Sequence, residues 1–107
     1  MKRCVVGIRG TGNGRTNGGA KRLPTVWFPS TATMAAVLSE ENRALLRVIR
    51  DAKPKTLTEL AVLSGRQVPN LSRTLRMMEG YGLVELTRNV RDVRPTALAT
   101  EFLVVLD

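Results

Sequence analysis

The stretch Gly65-Arg-Gln-Val-Pro-Asn-Leu-Ser-Arg-Thr-Leu-Arg-Met-Met-Glu-Gly-Tyr-Gly-Leu-Val84 constrains this chain more than any other. It reads as one short helix that stops at glycines and runs directly into a strand. Leu71, Leu75 and Met78 recur at i, i+4 and i+7, which puts them on one apolar face. The opposite side offers Gln67, Asn70, Arg73 and Arg76, with no acidic residue before Glu79. Such a helix packs on one side and presents DNA-reading groups on the other. Asn and Gln pair bidentately with adenine, and Arg pairs with guanine or phosphate.

Charge supports a polyanionic partner but is unevenly spread. The net charge is +8. Residues 1–22 carry Lys2, Arg3, Arg9, Arg15, Lys21 and Arg22 and no acid, so the rest of the chain is close to balanced. Within that rest, Arg66, Arg73 and Arg76 form an acid-free run, and Arg88, Arg91 and Arg94 cluster around the single Asp92. Basic clusters favour nucleic acid; the plainer reading of each one is solvated surface. A length of 107 residues fits one small domain with a tail, and Leu, Val, Ile and Met must fill a core offered only Trp27, Phe28, Tyr81 and Phe102 as aromatics.

Other chemistries find little support. Cys4 is the only cysteine and there is no histidine, which argues against a disulfide framework, an activated thiol and a Cys/His zinc site. No metal or other cofactor is expected, and neither is an enzyme. The apolar run at Cys4–Ile8 is too short for a secretory signal, and none approaches the ~20 residues of a membrane span. The expected location is the cytoplasm.

Residues 7–22 (GIRGTGNGRTNGGAKR) lack any hydrophobic period. Gly14 to Lys21 approaches the spacing of a phosphate-binding loop without its Gly-Lys-Ser/Thr ending. Gly10-Thr-Gly12 opens a dinucleotide fingerprint, but Arg15 stands where the third glycine belongs. Residues 1–23 are therefore expected to be a disordered basic arm that adds non-specific phosphate contacts, and residues 24–107 the folded domain.

Val26-Trp27-Phe28 is β-prone. Ser30 is expected to cap a helix over Thr31–Val37, and Ser39 the next, with Glu40 and Glu41 in its first turn and Leu45, Leu46 and Ile49 as its apolar stripe until Pro54 ends it. A third helix begins at Leu57-Thr58, with Thr58 as its cap, Leu60, Ala61 and Leu63 inward, and Gly65 as its stop. Pro69 fits the first turn of the fourth helix. Two short helices joined by a tight Gly-containing turn make a helix-turn-helix. Leu83–Thr87 and Val93–Thr96 then form a hairpin around a polar turn, with Pro95 marking an edge or a strand end. Glu101–Asp107 reads as a strand that is apolar on both faces, needing cover from Val26–Phe28 or from a dimer partner.

The segment LTELAVLSGRQVPNLSRTLRMMEGYGLVEL resembles winged-helix transcription regulators of the MarR and ArsR kind. Pro69, Ser72 and Arg73 match their recognition-helix pattern, and Glu79, Gly82, Leu83 and Val84 match the approach to the wing; Met78 stands where Leu is usual. Pro24 to Asp107 is similar to a group of small DNA-binding regulators in that superfamily, through Val26-Trp27-Phe28, Leu38 to Leu46 and Asn70 to Leu75. Two stretches depart from the pattern: the Gly-rich residues 1–22, and Thr96–Thr100, which lacks a Pro-Tyr-like turn.

The resemblance implies a mainly α chain with a small β-sheet (α+β), a winged helix-turn-helix of three to four helices, a hairpin wing and a C-terminal strand. It implies a sequence-specific regulator, most simply a repressor, whose helix at Gln67–Glu79 enters a major groove of double-stranded DNA. Gln67, Asn70 and Arg73 would read bases, Thr58, Ser72 and Arg76 would hold phosphates, and Arg88, Arg91 and Arg94 would anchor the wing. A homodimer is expected, with the C-terminal strand and Trp27-Phe28 as candidate interface. Two alternatives stay open: an antitoxin-like partner of another protein that regulates its own operon, and a general nucleic-acid binder working through the arm.

Overall fold

The protein is described by a computed structural model over residues 3–8 and 26–105. Its described elements run β1 (Arg3–Ile8), β2 (Val26–Phe28), α1 (Thr31–Val37), α2 (Glu40–Ala52), α3 (Leu57–Ser64), α4 (Val68–Gly80), β3 (Val84–Arg88), β4 (Val93–Ala97) and β5 (Glu101–Val105). The result is an α+β domain of four helices with two small sheets among the described residues.

Helix boundaries follow from local capping chemistry. The Ser30 hydroxyl accepts the Thr33 N–H at 3.1 Å to start α1, and the Ser39 hydroxyl accepts the Asn42 N–H at 3.2 Å to start α2. Leu45, Leu46 and Ile49 are buried, as the stripe predicted. Helix α2 closes on Lys53, whose left-handed backbone (φ 50°) precedes Pro54. Helix α3 is capped by Thr56, whose hydroxyl accepts the Glu59 N–H at 3.0 Å. The expectation for Thr58 was two residues late: Thr58 lies inside the first turn and is exposed. Leu60 is fully buried, but Leu63 is 47% exposed, contrary to its expected inward position. Apolar residues run nearly all round α3, so its periodicity does not single out a face.

Gly65 (φ 76°) turns the chain from α3 into α4, with only residues 65–67 between them. Pro69 sits in the first turn of α4, and Leu71, Leu75 and Met78 are completely buried. The end of α4 is a Schellman turn. The Gly82 N–H bonds to the Glu79 carbonyl at 3.0 Å, and the Leu83 N–H to the Met78 carbonyl at 2.9 Å. Gly82 takes φ 79°, and Leu83 and Met78 are both buried, the apolar contact that accompanies this motif. The helix is thereby led directly into β3.

Strands β3 and β4 pair antiparallel from Val84↔Ala97 to Arg88↔Val93. Both are edge strands of a two-stranded sheet, which accommodates Pro95. The other sheet has the order β2-β1-β5 and is parallel throughout, with Val6 opposite both Val26 and Val104. Val6, Ile8, Val26 and Phe28 enter the common core with the helices, and the Phe28 and Tyr81 rings lie 4.6 Å apart, joining β2 to the end of α4.

Two sequence expectations change here. Arg3–Ile8, assigned above to a disordered arm, is the central strand of the parallel sheet, and Val6 and Ile8 are core. The remainder of that arm, 1–2 and 9–23, lies outside the described residues. Strand β5 lies against β1 rather than directly against Val26–Phe28. A five-residue run with Val5, Val6 and Ile8 becomes a strand only when distant partners pair with it, which no local pattern records. Among the described residues no helix is long and apolar enough to cross a membrane.

The two glycines at the end of α4 should respond with opposite sign. Gly82→Ala should cost about 1–2 kcal/mol, because its left-handed backbone opposes a Cβ. Gly80→Ala, in helical backbone with open space around the added methyl, should gain about 0.4–1 kcal/mol. Urea unfolding of the two variants checks both signs.

Candidate nucleic-acid interface

Helix α4 determines where most of the sequence-predicted side chains stand. At about 100° per residue, burying Leu71, Leu75 and Met78 leaves Arg73 and Arg76 on the opposite, outward side. Both arginines are exposed. Asn70 falls on one flank and Ser72 on the other. The Asn70 flank faces the start of α2: Gln67, Asn70 and Thr74 line an open groove of about 470 Å³ with Glu41, Asn42 and Arg66. The Ser72 flank faces the hairpin: Ser72, Arg76 and Arg88 share a small cavity of about 40 Å³ with Leu57, Leu75, Leu86 and Val93.

Gln67, Asn70, Ser72, Arg73, Arg76 and Arg88 thus belong to α4 and its immediate surroundings. Gln67 is the N-cap residue of α4, but its side chain makes no capping bond. Ser72 is half-buried, so its hydroxyl is less accessible than the pattern suggested. Thr58 is exposed on α3 and lines neither the groove nor the cavity. Arg94 lies on β4 opposite Thr87, and Arg91 lies in the turn between the hairpin strands; both are exposed.

Arg88 differs from the other arginines of this surface. Its guanidinium grips Glu79 at both ends, Nη1 to Oε2 at 3.2 Å and Nη2 to Oε1 at 3.1 Å. These hydrogen bonds, more than the accompanying charge attraction, hold the Glu79 carboxyl below its ordinary range and raise Arg88. The pair ties the hairpin to the last turn of α4 and cancels the charge of Arg88. Arg73, Arg76, Arg91 and Arg94 form no ion pair among the described residues, where the two pairs are Glu79–Arg88 and Arg50–Asp51.

Sequence reasoning missed Arg66 and Asn42. The α2 stripe of Leu45, Leu46 and Ile49 gives Asn42 no part, and Arg66 read only as one of a basic run. In the fold their side chains meet: Arg66 Nη1 donates to Asn42 Oδ1 at 3.2 Å. Their separation of 24 residues left no local signal. No group of three or more His, Cys, Asp or Glu residues suited to a metal exists among the described residues.

The depressed Glu79 carboxyl carries a sign. A group whose pKa falls on folding stabilises the fold above its unfolded pKa, and that contribution disappears as pH drops through the folded value. Glu79→Gln should therefore lower the thermal midpoint slightly at neutral pH, and its curve should meet wild type below the ordinary glutamate range. The effect is small because the Arg88 side chain is exposed and that of Glu79 is 35% exposed, so solvent screens the pair. Melting curves from neutral to acidic pH check the convergence.

No curated protein matches the chain. The family model HVO_A0114 matches residues 37–104, which span from the end of α1 to β5 and take in the whole α4 surface and the hairpin. That match covers more than half of the chain, and the protein belongs to the HVO_A0114 family.

Proposed function

We propose that the protein is a winged helix-turn-helix regulator that binds double-stranded DNA sequence-specifically through α4, acting most simply as a transcriptional repressor. The observation that carries this reading is the outward side of α4. Arg73 and Arg76 are exposed there with Asn70 exposed on the adjoining flank, neither arginine is ion-paired among the described residues, and the helix is fixed from behind by three fully buried side chains. In this reading α3 and α4 are the helix-turn-helix, and β3–β4 is the wing.

Side-chain chemistry then divides the work. Asn70 suits adenine and Arg73 guanine, and Gln67 at the start of the helix reaches a neighbouring base. Arg76 and Thr58 supply phosphate contacts, with Ser72 in a lesser role because it is half-buried. Arg91 and Arg94 carry free charge on the wing, while Arg88 braces the wing through Glu79. Two protomers would place their α4 helices in half-sites about one helical turn apart, which makes a homodimer the working assembly.

The arginines separate the roles experimentally. Arg73→Ala should cost roughly 1–3 kcal/mol on a preferred duplex and relax base choice at one position. Arg91→Ala should weaken all duplexes alike and reduce the salt slope by about 0.9 per lost phosphate contact. Binding selections from randomised duplexes, followed by salt titrations, read both effects. Unchanged affinity and unchanged base preference in Arg73→Ala would remove α4 from the interface.

A further inference from the structure

Arg66 stands two residues before α4, in the turn that follows Gly65, and is half-buried. An arginine withdrawn from water is ordinarily matched by a carboxylate. Arg66 has no ion-pair partner among the described residues; its side chain is held instead by the neutral amide of Asn42. That amide has a determined orientation. Asn42 Nδ2 points at two carbonyl oxygens from the end of α1, Val37 at 3.0 Å and Ala36 at 3.4 Å, which demand a donor. Its Oδ1 must then face the guanidinium, which demands an acceptor. Asn42 therefore aims Arg66 without cancelling its charge, and one guanidinium N–H is used while the others remain available.

We propose that Arg66 is a further DNA-contacting residue, a fixed backbone-phosphate anchor beside the base-reading side of α4, and that Asn42 is its positioning residue. The proposal rests on the DNA-binding reading above. The groove supports the assignment, because Arg66 lines it together with Gln67 and Asn70. A phosphate held by Arg66 would set the register in which those two side chains meet base edges. Glu41 lines the same groove without pairing with Arg66, and its negative charge opposes an anion deep between the helices, so the proposal puts the phosphate at the guanidinium itself.

The test uses the full chain and a labelled mixed-sequence duplex, since a phosphate contact is indifferent to sequence. Arg66→Gln removes the charge and retains an amide able to donate to Asn42. Asn42→Ala removes the aim. Arg66→Gln should bind more weakly at low salt, with a log–log salt slope shallower by about 0.9, and with an unchanged melting temperature. Asn42→Ala should weaken binding when Arg66 is present and add nothing in the Arg66→Gln background, a dependence that general loss of stability would not produce. A wild-type slope and affinity in Arg66→Gln, alongside weakened binding in Arg91→Ala, would overturn the role of Arg66 and leave the DNA-binding reading standing. Failure of the wild-type chain to bind any duplex would overturn both.

Discussion

The burial of Leu71, Leu75 and Met78 is the constraint on which the remaining geometry depends. These side chains are fully buried and fix the rotation of α4 about its own axis. Everything else on that helix then has an assigned direction: arginines outward, Asn70 toward α2, Ser72 toward the hairpin. The Schellman turn converts the same anchor into the placement of β3, because Leu83 is bonded to the last turn of the helix and buried against the core. The Phe28–Tyr81 ring contact extends it to the parallel sheet. Losing any one of the three core side chains to Ala would cost about 2–5 kcal/mol, a large fraction of what a domain of this size has available.

Electrostatics divides the arginines around that frame into two kinds. Arg88 is spent on structure, since Glu79 holds both of its terminal nitrogens and joins the hairpin to α4. Arg73, Arg76, Arg91 and Arg94 are exposed without ion pairs among the described residues, and Arg66 is held by a neutral amide. Charges that a protein leaves uncancelled on a helix, the turn before it and the hairpin after it are suited to a polyanion. The same distinction separates a brace from an unpaired charge when the arginines of the basic clusters are otherwise alike in sequence.

What the sequence made legible was local. Ser30 and Ser39 caps, the Leu45–Leu46–Ile49 stripe, the apolar face of α4 and the hairpin after Gly82 all follow from spacing and capping within a few residues, and the structure bears them out. What was hidden was non-local or degenerate. Strand β1 depends on parallel partners at Val26–Phe28 and Glu101–Val105, so its short apolar run read as part of an arm. Helix α3 offers Thr56 and Thr58 two residues apart as caps, and apolar residues on nearly every side, so both its start and the outward turn of Leu63 were misassigned. For the candidate site, the outward residues of α4 were readable from its period. The Glu79–Arg88 brace and the Asn42–Arg66 contact were not, because each joins different elements.

The central claim is that α4 reads DNA sequence rather than merely adhering to phosphate. Fluorescence anisotropy comparing duplex from upstream of the protein's own gene with a scrambled duplex of equal length, across a range of salt, tests it most directly. The account predicts tighter binding to the upstream duplex, with an advantage that persists near physiological salt, where the phosphate contribution has weakened. Equal binding to both, falling together steeply with salt, would contradict it and leave the exposed arginines as a non-specific basic surface.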